Sequence, residues 1–184
     1  MRRNVRPHVE RDPIQRSTIC RRLFGHGLNG WRVPERFSVV ADNDVVFRLV
    51  DENSTFLPAG IALPLPAWFN PGTNDIAEGA KRGRVPGFSM WNNTLATAAD
   101  VKTLVNRTNA LAFGLNAGTF RKIGKEHSRD LEVLADPADE FKPTVGWDAH
   151  SLVEGLQRPE SLPRVQHKDM LTVLAAHCRS VESK

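Results

Sequence analysis

Val45-Val46-Phe47-Arg48-Leu49-Val50, entered through Asp42-Asn43-Asp44, is the stretch on which the fold turns. Five of its six residues are β-branched, aromatic or apolar, and a turn-forming tripeptide precedes it, so it reads as a strand. With the β-branched run Phe37–Ala41 on the other side of the turn, it predicts a hairpin or two consecutive strands. Alternation puts Val46, Arg48 and Val50 on one face and Val45, Phe47 and Leu49 on the other. Burying an arginine is costly unless a carboxylate or another anion satisfies its guanidinium. Arg48 is therefore either half of a cross-strand ion pair or a fork aimed at a phosphate or ribose.

Further β signals lie around Gly60–Leu63, where flanking prolines confine any strand to an edge, and in the compact apolar segment Phe88-Ser89-Met90-Trp91. Ala110–Leu115 and Thr119–Ile123, joined by Asn116-Ala117-Gly118, read as a hairpin; Asp130–Ala135 reads as a strand and Phe141–Trp147 as an edge strand. Helical signals are fewer. Ile14, Ile19 and Leu23 or Phe24 form a stripe ended by Gly25. Thr97-Ala98-Ala99-Asp100 is a capping box ahead of Val101, Leu104 and Val105. Ser151–Leu156 predicts one or two helical turns. Pro163 opens a last helix with Met170, Leu171, Leu174, Cys178 and Val181 at helical spacing. The glycine-, proline- and charge-rich stretch from Asn70 to Gly87 predicts a long exposed loop. The fold class expected is α+β, a mainly antiparallel β core in two small sheets with amino-terminal, central and carboxy-terminal helices.

At 184 residues, with 40% apolar and 25% charged residues, the chain has room for one globular domain and not for two full catalytic domains. Charge is uneven. Residues 1–36 carry nine Arg and three acidic residues, whereas the remainder is slightly acidic, which divides the chain into a basic helical arm (1–36) and one α+β domain (37–184). No apolar run approaches the ~18 residues of a membrane-spanning helix, and the amino terminus lacks the apolar region of a secretory signal. These features predict a cytoplasmic site of action without membrane contact and leave signal-independent secretion open. Cys20 and Cys178 make neither a disulfide framework nor a zinc site, and both read as reduced thiols.

Several motifs carry less than they promise. Gly25-His26-Gly27-Leu28-Asn29-Gly30 matches the spacing of a dinucleotide fingerprint but follows a helical pattern instead of a strand, so it reads as a turn. The six histidines show no metal-ligand spacing, so no metal is expected. Asp148-Ala149-His150 lacks a nucleophile in a strained elbow, and capping of the Ser151 helix explains it better. Glu140-Phe141-Lys142 with an upstream aspartate has the order of a metal-dependent nuclease, although Asp136 to Asp139 reads as a turn.

Phe47-Arg48 closing a strand, then Gly87-Phe88-Ser89-Met90-Trp91 ahead of a helix, then an apolar strand and an acidic turn, together resemble the ADP-ribosyltransferase-like toxins associated with type VI secretion and their fungal relatives, over residues 44–157. Ala112–Leu115, Asp130–Leu134 and Asp139–Phe141 are similar to the later strands. The usual Ser-Thr-Ser is here a lone Ser89, and no Gln-x-Glu or Glu-x-Glu pair occurs. The resemblance implies that NAD is the substrate, with Arg48, Phe88, Ser89 and Trp91 binding it and Glu140, Asp136 or Glu132 as the catalytic acid. It also implies transfer of ADP-ribose to a protein or nucleic-acid target, or hydrolysis of NAD, and a cognate immunity or antitoxin partner. Such chemistry needs a cation for the pyrophosphate, a hydroxyl, an aromatic wall and a carboxylate near an oxocarbenium-like ribose. Plain core packing is the competing explanation for Phe88 and Trp91. The alternative function is a non-enzymatic binding module, with the basic arm and the Lys81-Arg82-Arg84 loop holding an acidic partner or nucleic acid.

Overall fold

The computed structural model describes residues 36–51, 54–56, 63–81, 83, 85–137 and 147–181. Its centre is β1, Val45–Val50, as the alternation requires. Six strands form one antiparallel sheet in the order β6-β7-β4-β1-β5-β8, where β4 is Gly87–Asn92, β5 Leu111–Asn116, β6 Glu132–Ala135, β7 His150–Glu154 and β8 Arg179–Ser180. A two-stranded ribbon, β2 (Thr55–Phe56) with β3 (Leu63–Pro64), stands apart. The four α-helices among the described residues are α1 (Thr73–Lys81), α2 (Ala98–Leu104), α3 (Ala117–Glu126) and α4 (Arg164–His177). The architecture is α+β and mainly antiparallel. The β core divides into two sheets, one of six strands and one a two-stranded ribbon.

The two faces of β1 found in the sequence are the two faces of the molecule. Val46 and Val50 join Phe88, Met90, Phe113 and Val153 beneath Phe120 and Ile123 of α3 and Met170, Leu171 and Leu174 of α4. Phe47 and Leu49 join Trp91 and Ala112 beneath Ala98 and Val101 of α2. Each such fully buried large side chain contributes roughly 1.5–3 kcal/mol through apolar area removed from water. The capping box forms as expected: the Thr97 hydroxyl accepts the Asp100 N–H at 3.2 Å, and the Asp100 carboxylate accepts the Thr97 N–H at 3.0 Å.

Four expectations are corrected. Thr119–Ile123 is not a strand but the middle of α3, because Phe120, Ile123 and Gly124 fall on one helical stripe against the sheet; Gly124 sits so close to Leu131 that a Cβ would meet its Cγ at 2.8 Å. Ser151–Leu156 is not a helix but most of β7, paired on both sides, with β4 through Phe88↔Val153 and with β6 through Val133↔Val153. Phe37–Ala41 follows β6 instead of pairing with β1: Val40 donates to the Val133 carbonyl at 2.9 Å, and the Asp42–Asp44 turn then redirects the chain. The loop expected at Asn70–Gly87 contains α1. Residues 1–35, on which the expected arm helix and the turn at 25–30 fall, most of Gly60–Leu63, and residues 141–146 of the expected edge strand lie outside the described residues.

Candidate functional site

Strand β1 pairs with β5 over six residue pairs, from Val45↔Asn116 to Val50↔Leu111, but with β4 over only two, Val46↔Asn92 and Phe47↔Trp91. Beyond Phe47 the ladder opens, and α1, which packs on β4, presents a carboxylate to both strands there. Asp75 in the first turn of α1 accepts the Gly72 N–H at 2.8 Å, so it tethers its own helix start. Its Oδ1 accepts the Ser89 hydroxyl at 3.2 Å, and its Oδ2 lies 4.0 Å from Arg48 Nη1.

Arg48 occupies the helix-covered face of a central strand with 28% of its side chain exposed. Its guanidinium centre lies 4.2 Å from the Phe88 ring centroid and 5.8 Å from that of Trp68, the latter held on the 3-10 turn Pro66–Phe69. Trp68 in turn meets the edge of Phe88 with centroids 5.4 Å apart. Aromatic faces attract the cation without using its N–H groups. Nη1 is buried and has no hydrogen-bond partner among the described residues. Burial pushes the Arg48 pKa below its ordinary value; Asp75 acts in the opposite sense, and Arg107 adds to the lowering. A guanidinium nevertheless stays protonated. The result is a fixed cation with an unused, desolvated N–H, beside a carboxylate and a hydroxyl and walled by two aromatic rings. Such a group takes an anionic oxygen, most strongly in the bidentate geometry of a phosphate.

Arg48, Phe88 and Ser89 are thus brought together by the fold. Trp91 is not with them: it packs against Phe47 on the opposite face of the sheet, 6.5 Å between centroids, and meets His150 edge-on at 5.9 Å. Two of the acidic residues singled out in the sequence, Glu132 and Asp136, also sit elsewhere. Glu132 on β6 is three strands from β1, ~14 Å at strand spacing, and accepts the Arg121 Nε at 3.1 Å. Asp136 is 3% exposed, takes the Arg36 Nε at 2.8 Å and lies 3.2 Å from His150 Nδ1. His150 Nδ1 also lies 2.9 Å from the Asp136 backbone carbonyl, so Asp136 orients the imidazole, and no helix at Ser151 exists to be capped. Glu140, with Lys142, lies outside the described residues.

Asp75 and Trp68 were missed in the sequence. A signal was present for Asp75: Gly72-Thr73-Asn74-Asp75 ahead of Ile76-Ala77 has the small and acidic residues of a helix start. Trp68, between prolines 66 and 71, carried none. Among the described residues no group of three or more His, Cys, Asp or Glu side chains could hold a metal ion, and no helix is long and apolar enough to cross a membrane. No protein-family model, curated protein or solved structure matches this chain.

Proposed function

We propose that the chain is a toxin-like enzyme that uses NAD as substrate, transferring ADP-ribose to a cellular target or hydrolysing NAD, with Arg48 at the centre of its pocket. The single observation that supports this most is the convergence of Arg48 and Ser89, 41 residues apart in sequence, on the carboxylate of Asp75 where the sheet opens. Arg48 holds the pyrophosphate, using the N–H groups that Asp75 leaves unused. Ser89, whose proton goes to Asp75, offers its hydroxyl oxygen as an acceptor to the ribose end. Phe88 and Trp68 fix the guanidinium and exclude water from one side of it.

Asp75 supplies the acidic function in place of Glu132 and Asp136, which are committed to Arg121 and to Arg36 with His150. When the bond between the ribose C1′ and nicotinamide breaks, its electron pair leaves with neutral nicotinamide, and positive charge develops on the ribose. A carboxylate within a few ångströms stabilises that charge until water, or a nucleophile of the target, attacks C1′ and gives up its proton.

The test is release of free nicotinamide from NAD by the purified full chain, followed chromatographically with and without a host-cell extract as a source of acceptor. Wild-type protein should release it, Arg48→Gln should lose at least about 100-fold in kcat/KM, equivalent to about 2.7 kcal/mol, and Asp75→Asn should lower kcat more than it raises KM. Release that is absent under both conditions, or unchanged in Arg48→Gln, overturns the proposal.

A further inference from the structure

A second concavity lies at the opposite end of the same strand. Val45 and Arg48 are three residues apart, so they point to opposite sides of the sheet, ~10 Å apart along β1. Around Val45 and Gly114 there is a cleft of about 650 Å³, a size ordinary for small-molecule sites. None of the Arg48 cluster lines it.

Its chemistry is one-sided. The side chains that border it include Arg179 of β8, His177 at the end of α4, and the amides and hydroxyl of Asn93, Asn116 and Thr119; none is acidic, and the imidazole of His177 is the one aromatic ring. Among the described residues no carboxylate pairs with Arg179, and Asn93, Asn116 and Thr119 use their side chains in no hydrogen bond. His177 Nδ1 lies 2.8 Å from the Val173 carbonyl, which places the proton on that nitrogen and leaves Nε2 for a ligand. Among the described residues, Asp44, which precedes Val45, accepts from Asn92 Nδ2 at 3.0 Å and Thr94 Oγ1 at 3.3 Å, and Asp100 accepts from the Thr97 hydroxyl at 2.7 Å. What remains is a cleft whose lining carries one fixed charge, that of Arg179, with several neutral hydrogen-bonding groups and no Phe, Tyr or Trp face on which a planar base would stack.

At the cleft's inner wall β5 lies tight against β1: a Cβ on Gly114 would lie 2.5 Å from the Val46 carbonyl oxygen and 2.9 Å from Phe47 Cβ, so only glycine fits where β5 pairs with β1.

We propose that this cleft binds a sugar phosphate: a small non-aromatic polyol whose phosphate pairs with Arg179 and whose hydroxyls meet Asn93, Asn116, Thr119 and His177. An anion alone would leave the amides and the threonine hydroxyl unused, and a neutral sugar would leave the guanidinium unused. This site is independent of the Arg48 pocket.

Isothermal titration calorimetry of the full chain with ribose 5-phosphate, ribose and inorganic phosphate tests it. Ribose 5-phosphate should bind at least about tenfold more tightly than either of the others, which is 1.4 kcal/mol. Arg179→Gln, at an exposed position that the fold tolerates, should weaken ribose 5-phosphate about tenfold or more. Thr119→Val should weaken it while leaving inorganic phosphate unchanged, and Arg48→Gln should leave it as in wild type. Absence of binding, equal binding of phosphate and ribose 5-phosphate, or an Arg179→Gln protein that binds as well as wild type overturns the proposal.

Discussion

Replacing Asp75 by alanine removes three interactions, and a double-mutant cycle with Arg48→Met isolates the one that matters for the pocket. The first two are hydrogen bonds: the Gly72 N–H at 2.8 Å, an exposed helix-start contact of about 1 kcal/mol, and the Ser89 hydroxyl at 3.2 Å, worth about 1 kcal/mol. The third is the charge pair with Arg48 at 4.0 Å. Coulomb's law gives about 4 kcal/mol at that distance with an effective dielectric constant near 20. Because 28% of Arg48 and 11% of Asp75 remain exposed, solvent screening reduces this to a coupling of about 1–2 kcal/mol. Asp75→Ala should therefore cost about 3–4 kcal/mol in the wild-type background, a fall in Tm of roughly 6–16 °C for a chain of this size. In the Arg48→Met background, where methionine keeps the contact with Phe88 and Trp68 but carries no charge, it should cost 1–2 kcal/mol less. Urea unfolding of the four proteins at low salt, monitored by tryptophan fluorescence, measures both numbers. Equal costs in the two backgrounds would show that Arg48 and Asp75 do not interact, and would remove the physical basis of the pocket.

Three further outcomes follow from packing and titration. Gly114→Ala should destabilise by about 1–3 kcal/mol or more, since its Cβ meets backbone instead of a movable side chain; a variant as stable as wild type in urea would mean that β1 and β5 are not so close. Burial, with the positive charges of Arg129 and Arg158, holds the His167 pKa below its ordinary 6.5. Because the unfolded chain then binds the proton more readily, stability should be full above about pH 6.5 and decline as pH falls toward the depressed folded value. His167→Gln, which can keep a donor for Asn70 Oδ1 at the 3.2 Å contact, should flatten that slope, and an unchanged slope would assign it to other groups. Burial raises the Cys178 thiol to about 12, so a thiol-specific reagent should label it at the rate of unfolding and not at that of an exposed thiol; immediate labelling under native conditions would contradict its place in the core.

Local signals in the sequence determined those elements whose stabilising partners are local or whose pattern has only one period. The alternation of β1 specified a strand and its two faces, Thr97 with Asp100 specified the start of α2, and the stripe from Met170 to Leu174 specified α4. Arg48 was legible as a candidate because a charge in that strand has few ways to be satisfied. Tertiary structure decided the rest. Thr119–Ile123 is short enough to satisfy either period, and it became helical because Phe120 and Ile123 reach the sheet only from one helical stripe. Ser151–Leu156 became a strand because β4 and β6 offer hydrogen-bond partners on both sides, a non-local gain that composition does not record. The same holds for the pocket. Asp75 is an ordinary helix-start residue in sequence, and it belongs with Arg48 and Ser89 only because the β1–β4 ladder stops after Phe47 and α1 enters where it opens.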